Sequence, residues 1–420
     1  MQHEFGKRQV TPTLLCFTMT RRHKARSNRH VPRKSALDNE HFKKIWKINE
    51  ALRLNDLAWL RRIAREPGGF GSNRMRQRVW PVLLRCDLEK EREHAKEAAD
   101  THPDENQVKL DIVRAFNVYP QGISAERKKR LQSELDSVIR HVLRSYPSLH
   151  YYQGFHDICS VFLLIFGAQD ARLLLKHVAL FFMRDAMLDS MDSILQQLTM
   201  IFAIFKEQDY ELYEYITEAG VLPYYSLSWV IAWFSHDLND LGKIARIFDV
   251  FLSSTPLMPI YLSAALVLAR RDQVLTQSHD MSAIHTFLSK VPQKLEIEAL
   301  IVKATELEKR FPPLELQRLS GVALDEVSVV NTYDDLWIHS EDLEASREAA
   351  HEIAGIPSKD RKPILIASKP APKLQNVLQR LRETYRKDAT MWTLLVLGAG
   401  MGMIAMLLSN NDLVREWLLM

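Results

Sequence analysis

Apolar residues recur at spacings of three and four along most of the chain, nearly without a break from residue 37 to about residue 318. This spacing is typical of amphipathic helices, whereas few stretches show the alternation of a half-buried strand. In the segment VKLDIVRAF, for example, Val108, Ile112, Ala115 and Phe116 share one helical face. The pattern predicts an all-α fold with a multi-helix domain over residues 37–318.

The pattern changes near the C-terminus, where ATMWTLLVLGAGMGMIAMLL covers residues 389–408 without a charge. About 20 apolar residues are what a helix needs to cross a bilayer. Basic residues cluster between positions 380 and 387, and only Arg415 follows the segment. The positive-inside rule then predicts a transmembrane tail anchor with the N-terminal body in the cytosol. The alternative is a buried helix at the end of a domain.

Three further segments complete the predicted organisation. Residues 1–36 contain the basic run TRRHKARSNRHVPRK and are predicted to be a disordered basic tail; contact with an anionic membrane or nucleic acid is the alternative. Residues 319–388 are mixed and acidic, then rich in proline and lysine, which predicts a linker. We interpret Tyr333, Leu336 and Trp337 in that linker as chance apolar residues rather than a docking motif. Residues 409–420 form a short tail.

Composition and motifs limit the classes of function that the sequence indicates. With 46% hydrophobic residues and only 14 glycines among 420 residues, the chain fits a helical protein with a sizeable core. Its three cysteines form no CxxC pair and no metal-binding spacing, which indicates a reducing setting. The sequence contains no GxxxxGKS/T phosphate loop, no GxSxG and no HExxH motif. It therefore does not indicate a nucleotide-binding, serine-hydrolase or zinc-peptidase site.

Two polar motifs interrupt the apolar pattern. Asp111 and Arg114 are three residues apart on a helix and are therefore neighbours, either as an ordinary surface ion pair or as an acid that fixes the arginine. About forty residues later, HYYQGFHD places Gln153 and Gly154 after a helix-ending proline and before an apolar helix. We expect Gln153 and Gly154 in a loop or at a helix start, where free backbone N–H groups meet an anion or a partner. His156 is expected to be a structural hydrogen-bonding residue or a loop residue at an interface.

Together these motifs resemble those of the TBC-domain Rab GTPase-activating proteins. VKLDIVR is similar to the I-x-x-D-x-x-R motif, with Val108 in place of isoleucine, and YYQG is similar to the Y-x-Q-G motif. RMRQRVWPVLL resembles an R-x-x-x-W helix, with Arg76 and Trp80 in register. A later tryptophan-rich segment ends in an R-x-x-D-like pair, Arg246 and Asp249. The resemblance covers about residues 60 to 310.

The resemblance implies that this chain supplies catalytic residues to another protein. Arg114 would be an arginine finger and Gln153 a glutamine finger, which act on GTP in a partner Rab GTPase. Asp111 would position Arg114, Tyr151 and Gly154 would shape the glutamine loop, and Arg76 and Trp80 would support the domain. GTP and Mg²⁺ would be bound by the GTPase, so no cofactor of the chain's own, no independent substrate turnover and no nucleic-acid partner are expected.

The domain combined with a C-terminal span resembles a membrane-anchored member of the family. That resemblance implies the GTP form of the ER-to-Golgi Rab as partner. It also implies single-pass residence in the endoplasmic reticulum or early Golgi membrane, with the catalytic domain in the cytosol. The alternative is a non-catalytic, tail-anchored Rab effector or tether that uses the same fold.

Overall fold

The computed structural model describes residues 36–94 and 100–365. The predicted tail up to residue 35, the transmembrane segment 389–408 and the short tail 409–420 therefore lie outside the described residues. By its internal contacts the chain divides into a short unit, Met1–Trp46, and a large unit that begins at Lys47. All features below, apart from the first turns of helix α1, belong to the large unit.

The described residues fold into helices joined by short loops, and their one β-type pairing is an isolated bridge between Asp325 and Pro363. The all-helical prediction is confirmed. In chain order the helices are α1 (Ala36–Arg53), α2 (Leu57–Arg65), α3 (Asn73–Leu83), α4 (Leu88–His94), α5 (Glu105–Ile112), α6 (Ala125–Ser145), α7 (Phe155–Phe166), α8 (Ala168–Phe181), α9 (Asp192–Gln208), α10 (Tyr210–Glu218), α11 (Leu227–Ile231), α12 (Leu241–Phe251), α13 (Met258–Ala269), α14 (Arg271–Leu275), α15 (Met281–Leu288), α16 (Ile297–Arg310), α17 (Pro313–Ser320), α18 (Val329–Tyr333) and α19 (Leu343–Ala354).

Helix α7 lies at the centre of the first half of the domain. Its sequence, FHDICSVFLLIF, is apolar on nearly every side, and nine of its twelve residues are buried. A helix that is apolar all round is stable only when other helices cover it. Helices α3, α5, α6, α8 and α12 all pack against α7. Its N-terminus is therefore held in place from several directions, which matters because the YYQG motif immediately precedes it.

Helix α6 shows how the sequence sets a boundary. Ser124 is its N-cap, and the Ser124 hydroxyl accepts a hydrogen bond from the Arg127 backbone N–H. Serine at this position satisfies one of the free N–H groups of a first helical turn. The buried side of α6, which includes Leu135, Ile139 and Val142, recurs at helical spacing and packs on α5, α7 and α8. Helix α6 is thereby fixed beside the short helix that carries Asp111.

The segment predicted as a linker over residues 319–388 is part of the fold as far as residue 365. Helices α18 and α19 flank a π-helical turn, Asp334–Ile338, and Trp337 in that turn is fully buried. The Trp337 ring centroid lies 4.4 Å from that of Phe181 on α8, and the Tyr333 hydroxyl donates to the Ser254 carbonyl at 3.0 Å. The linker prediction is therefore wrong for residues 319–365, and Trp337 is not a chance apolar residue; residues 366–388 lie outside the described part.

Two sets of polar contacts, one buried and one partly buried, fasten this extension, residues 321–365, to the domain. The buried Asp185 carboxylate accepts hydrogen bonds from the Ser328 hydroxyl and from the Val329 N–H, both in the extension. Arg85 donates to the Trp337 and Ser340 carbonyls at 2.7 and 2.6 Å.

Within residues 36–94 and 100–365, no helix is both long and apolar enough to cross a bilayer.

Candidate functional site

Asp111 is the centre of the candidate site. It lies in the last turn of α5, and its side chain is fully buried. One carboxylate oxygen, Oδ1, accepts from the Arg114 guanidinium, and the other, Oδ2, accepts from the Tyr151 hydroxyl at 2.7 Å. A buried carboxylate is strongly destabilising unless both oxygens find partners, and here each has one. Asp111 therefore joins the two sequence motifs in space.

Arg114 lies in the turn that follows α5. Its N–H donates to the Asp111 carbonyl at 3.0 Å, and the Gln132 amide of α6 donates to the carbonyls of Val113 and Ala115 on either side. About a third of the Arg114 side chain is exposed, at 32%. Its Nε and Nη1 groups make no hydrogen bond within the described residues. The site thus presents a partly exposed arginine with a fixed backbone, whose guanidinium is held at Nη2 by Asp111.

The YYQG motif forms the turn that leads into α7. Tyr151 is fixed at both ends, because its N–H donates to Asp104 at 2.8 Å while its hydroxyl donates to Asp111. Burial and the neighbouring Asp111 raise the pKa of Tyr151 well above its usual value, so it remains a donor at neutral pH. Gln153, two residues later, is half-buried, and among the described residues its side chain has no hydrogen-bond partner. Its amide is therefore available to an incoming molecule.

Gly154 is the N-cap of α7 and has a φ of 127°. A Cβ atom there would meet Tyr152 and Ile231 at 3.4 to 3.5 Å, which is ordinary contact. The restriction is therefore conformational rather than steric, because residues with a side chain rarely adopt this φ. The Tyr152 hydroxyl donates to the Ile231 carbonyl at 2.8 Å and fixes the other side of the turn. Gln153 lies in the turn and Gly154 at the N-cap, so the expectation that they lie in a loop or at a helix start is confirmed.

A series of polar contacts extends from Tyr151 to His236 beneath the site. Since the Tyr151 proton goes to Asp111, His156 Nδ1, 3.2 Å from the Tyr151 hydroxyl, must carry a hydrogen and donate. His156 Nε2 lies 3.5 Å from Asp157 Oδ1, and Asp157 Oδ2 lies 3.0 Å from His236 Nδ1. His156 is buried and is thus the structural hydrogen-bonding residue that the sequence suggested.

The charges along this series of polar contacts, from Tyr151 to His236, reinforce one another. Hydrogen bonding to Asp157 raises the pKa of His236 to about 9, so His236 is a cation at neutral pH. Burial alone would raise the pKa of Asp157, but His156, His236 and Arg114 together hold it below its usual value. An ionised Asp157 adds to the negative field that Asp111 provides around the Arg114 guanidinium. Asp157 and His236 were not predicted as site residues, and nothing local in the sequence links them because they are 79 positions apart.

Arg76 and Trp80 support the fold at a different place. Arg76 makes a two-pronged ion pair with the buried Asp249, at 2.9 and 3.0 Å, and Trp80 Nε1 donates to the same carboxylate at 2.9 Å. The Trp80 ring packs on Phe162 and Phe166, and Phe162 lies roughly 12 Å along the α7 axis from Gly154. Neither residue contacts Asp111, Arg114 or the YYQG turn. The two residues hold the C-terminal half of α7, so they act on the site through that helix.

The R-x-x-D-like pair does not form an ion pair with itself. Asp249 takes Arg76 and Trp80, whereas Arg246 pairs with Glu298 at 2.8 Å and donates to the carbonyls of Ala64 and Glu66. Both side chains therefore fasten α12 to the N-terminal helices. Their function is to connect elements that are distant in sequence.

A cavity of about 460 Å³ adjoins the YYQG turn. It is lined by Tyr151, Tyr152, Asp104 and His150 on one side and by residues 186 and 188–191 on the other. Asp189 in this lining binds the Arg361 guanidinium at 2.6 Å and the Ser358 N–H at 3.0 Å. The end of the described chain is thus tied to the same part of the surface as the turn that carries Gln153.

The class of protein follows from comparison of this all-helical domain with known proteins. Residues 73–275 match the Rab-GTPase-TBC domain family. Over 302 residues the chain is 38% identical to TBC1 domain family member 20 of Mus musculus. The aligned region covers 71% of this chain and 75% of that protein. The chain therefore belongs to the TBC family of Rab GTPase-activating proteins, as its motifs predicted.

Other relatives agree. The chain is 36% identical over 278 residues to the GTPase-activating protein gyp10 of Schizosaccharomyces pombe, covering 64% of this chain and 74% of that protein. The crystal structure of the Ypt/Rab-GAP domain of Gyp1p superposes with a TM-score of 0.52 at 19% identity, covering 64% of this chain and 99% of that one. At this identity the superposition shows the fold alone, and the fold is the one the resemblance implied.

Proposed function

We propose that Arg114 is inserted into the nucleotide site of a GTP-loaded Rab GTPase and accelerates GTP hydrolysis there. The observation that supports this role is the pairing of an exposed guanidinium with the fully buried Asp111. Negative charge grows on the γ-phosphoryl oxygens during hydrolysis, and an arginine stays charged and offers several donors to them. The Nε and Nη1 groups of Arg114, unpaired in the described part of the chain, are the donors that would face the phosphate.

Gln153 is the second proposed catalytic residue. A carboxamide both donates and accepts hydrogen bonds, so it can hold a water molecule in line with the phosphoryl group. Tyr151 and Gly154 fix the backbone on either side of Gln153, while its own amide stays unpaired within residues 100–365. The Tyr151–Asp111 hydrogen bond makes the positions of the two proposed fingers depend on each other. The nucleotide and its Mg²⁺ belong to the GTPase in this proposal, and the chain needs no cofactor.

The proposed substrate is a Rab of the early secretory pathway, in particular the ER-to-Golgi Rab. The support is the apolar segment 389–408, because a TBC domain combined with a C-terminal span resembles a membrane-anchored member of the family. The test is single-turnover GTP hydrolysis by a panel of purified Rab proteins with catalytic amounts of residues 36–365. We expect strong stimulation of an early-secretory Rab and an about 10²- to 10³-fold smaller effect with Gln153→Ala.

Gln273→Ala is the matched control, because Gln273 is an exposed glutamine on α14 outside the candidate site. It should stimulate as the unmodified protein does. If Gln153→Ala stimulated equally well, the glutamine that orients water would be the GTPase's own. Binding of GTP-loaded Rab without stimulation of any panel member would favour the effector or tether function.

Residues 389–408 are proposed to anchor the protein in the endoplasmic reticulum or early Golgi membrane with the domain in the cytosol. The support is the uncharged length of this segment and the basic cluster before it. The full chain in cells should therefore resist alkaline extraction from membranes, and a chain ending at Leu365 should be released. Extraction of the full chain into the alkaline supernatant would contradict an integral anchor.

A further inference from the structure

Three large apolar side chains that lie within four positions of Arg114 in the sequence are exposed to solvent. Leu110 is 64% exposed, Val113 is 73% exposed and Val118 is 51% exposed, all within a stretch of nine residues. Elsewhere in the large unit, large apolar side chains that are at least half exposed are twelve or more positions apart in the sequence; the neighbouring pair Phe42 and Trp46 on α1 belongs to the short unit. A cluster of them beside one functional side chain is typical of an interaction site. We propose that Leu110, Val113 and Val118, the apolar rim, form a docking surface for the GTPase that receives Arg114.

The rim is built on a rigid backbone. Gln132 of α6 holds the carbonyls of Val113 and Ala115, and Lys128 of α6 contacts the Asn117 side chain. Tyr119, directly after Val118, is buried, and burial together with the nearby Asp157 raises its pKa. The exposed valines therefore alternate with residues that are fixed to the domain. Docking on such a surface costs little conformational entropy, because the backbone is already ordered.

The position of the rim identifies the occupant. An arginine that reaches a nucleotide in another protein brings the surface around its own Cα against that protein. Val113 precedes Arg114 directly, and Leu110 lies one turn before it on the exposed face of α5. Helix α6, whose first residues AERKKR are mostly basic, contacts the same segment, which suits a partner with a bound polyphosphate. This inference rests on the proposed function of Arg114 and adds the surface that sets affinity.

The experiment measures kcat and KM for stimulated hydrolysis by the full chain, with a Rab that it activates. We expect Leu110→Gln together with Val118→Gln to raise KM about tenfold and leave kcat nearly unchanged, because docking is weakened while Arg114 and Gln153 are intact. Leu314→Gln together with Val302→Gln is the matched control, since Leu314 is also 64% exposed and Val302 is 50% exposed on other helices. The control should leave both parameters unchanged.

An unchanged KM in the rim variant would overturn the proposal, and so would an equal rise in the control. Thermal melting of both variants should match that of the unmodified chain, because all four side chains are at least half exposed. Arg114→Ala separates this inference from the proposed function. If that variant kept full kcat while the rim variant raised KM, the finger assignment would fail and the docking surface would stand.

Discussion

Replacing Arg114 by alanine is expected to lower the stimulated rate of GTP hydrolysis by about 10³-fold or more, with little change in affinity for the GTPase. In the proposed mechanism the guanidinium would neutralise charge that develops in the transition state, so its loss should appear in kcat rather than in KM. Arg114→Lys should recover little of the rate, because an ammonium group lacks the planar fork that spans two phosphate oxygens. Single-turnover kinetics over a range of protein concentrations measures both parameters.

Arg140→Ala is the control for this prediction. Arg140 is 33% exposed and pairs with Asp136 on its own helix, so it matches Arg114 in burial; it also pairs with Glu105 on α5 at 3.8 Å. It lies on the middle of α6 and is not part of the proposed site. Equal losses in the two variants would mean that removing any half-buried, paired arginine lowers activity through folding. Near-full stimulation by Arg114→Ala would contradict the finger assignment.

A substitution at Asp111 separates two effects: the positioning of Arg114 and the neutralisation of phosphate charge. Asp111→Asn keeps an acceptor for Tyr151 but removes the negative charge that holds the guanidinium. The buried site would then hold Arg114 less firmly. Because its carboxylate is fully buried, Asp111 could act on a GTPase only by positioning Arg114.

The parts of this site that are local in sequence could be predicted, and the parts that depend on tertiary contacts could not. Helical spacing alone makes Asp111 and Arg114 neighbours, and a glycine before an apolar run marks the start of α7. The contact between Asp157 and His236 spans 79 positions and has no periodic signal. The ion pair of Arg76 with Asp249 likewise joins residues 173 positions apart. Only the folded chain brings such residues together.

The linker was mispredicted for the same reason. Between residues 321 and 365 the helices are short, and the composition is mixed and acidic, so no long apolar periodicity appears. Its buried residues pack both on one another and on the domain, as Trp337 does against Phe181 of α8. The anchor of this segment at Asp189, in the wall of the cavity beside Tyr151, ties the extension to the site as well as to the core.

Replacing Trp337 by alanine is therefore expected to lower the free energy of unfolding by about 3–5 kcal/mol, as for other fully buried tryptophans. The indole ring packs against Phe181, Phe182 and His177, and alanine would lose these contacts and leave a cavity. A linker residue would instead be neutral. Chemical denaturation of residues 36–365 measures the difference, with the denaturant slope checked for two-state behaviour.

Trp337→Phe is the conservative counterpart. The Trp337 indole N–H has no hydrogen-bond partner in the described part of the chain, so phenylalanine removes no polar contact and keeps an aromatic ring against Phe181. Its cost should be clearly smaller than that of alanine. A chain that ends at Ser320 removes the whole extension, exposes Phe181 and Phe182, and should be less stable than either variant. If Trp337→Ala and the chain ending at Ser320 both unfolded at the same denaturant concentration as residues 36–365, the extension would contribute nothing to the fold.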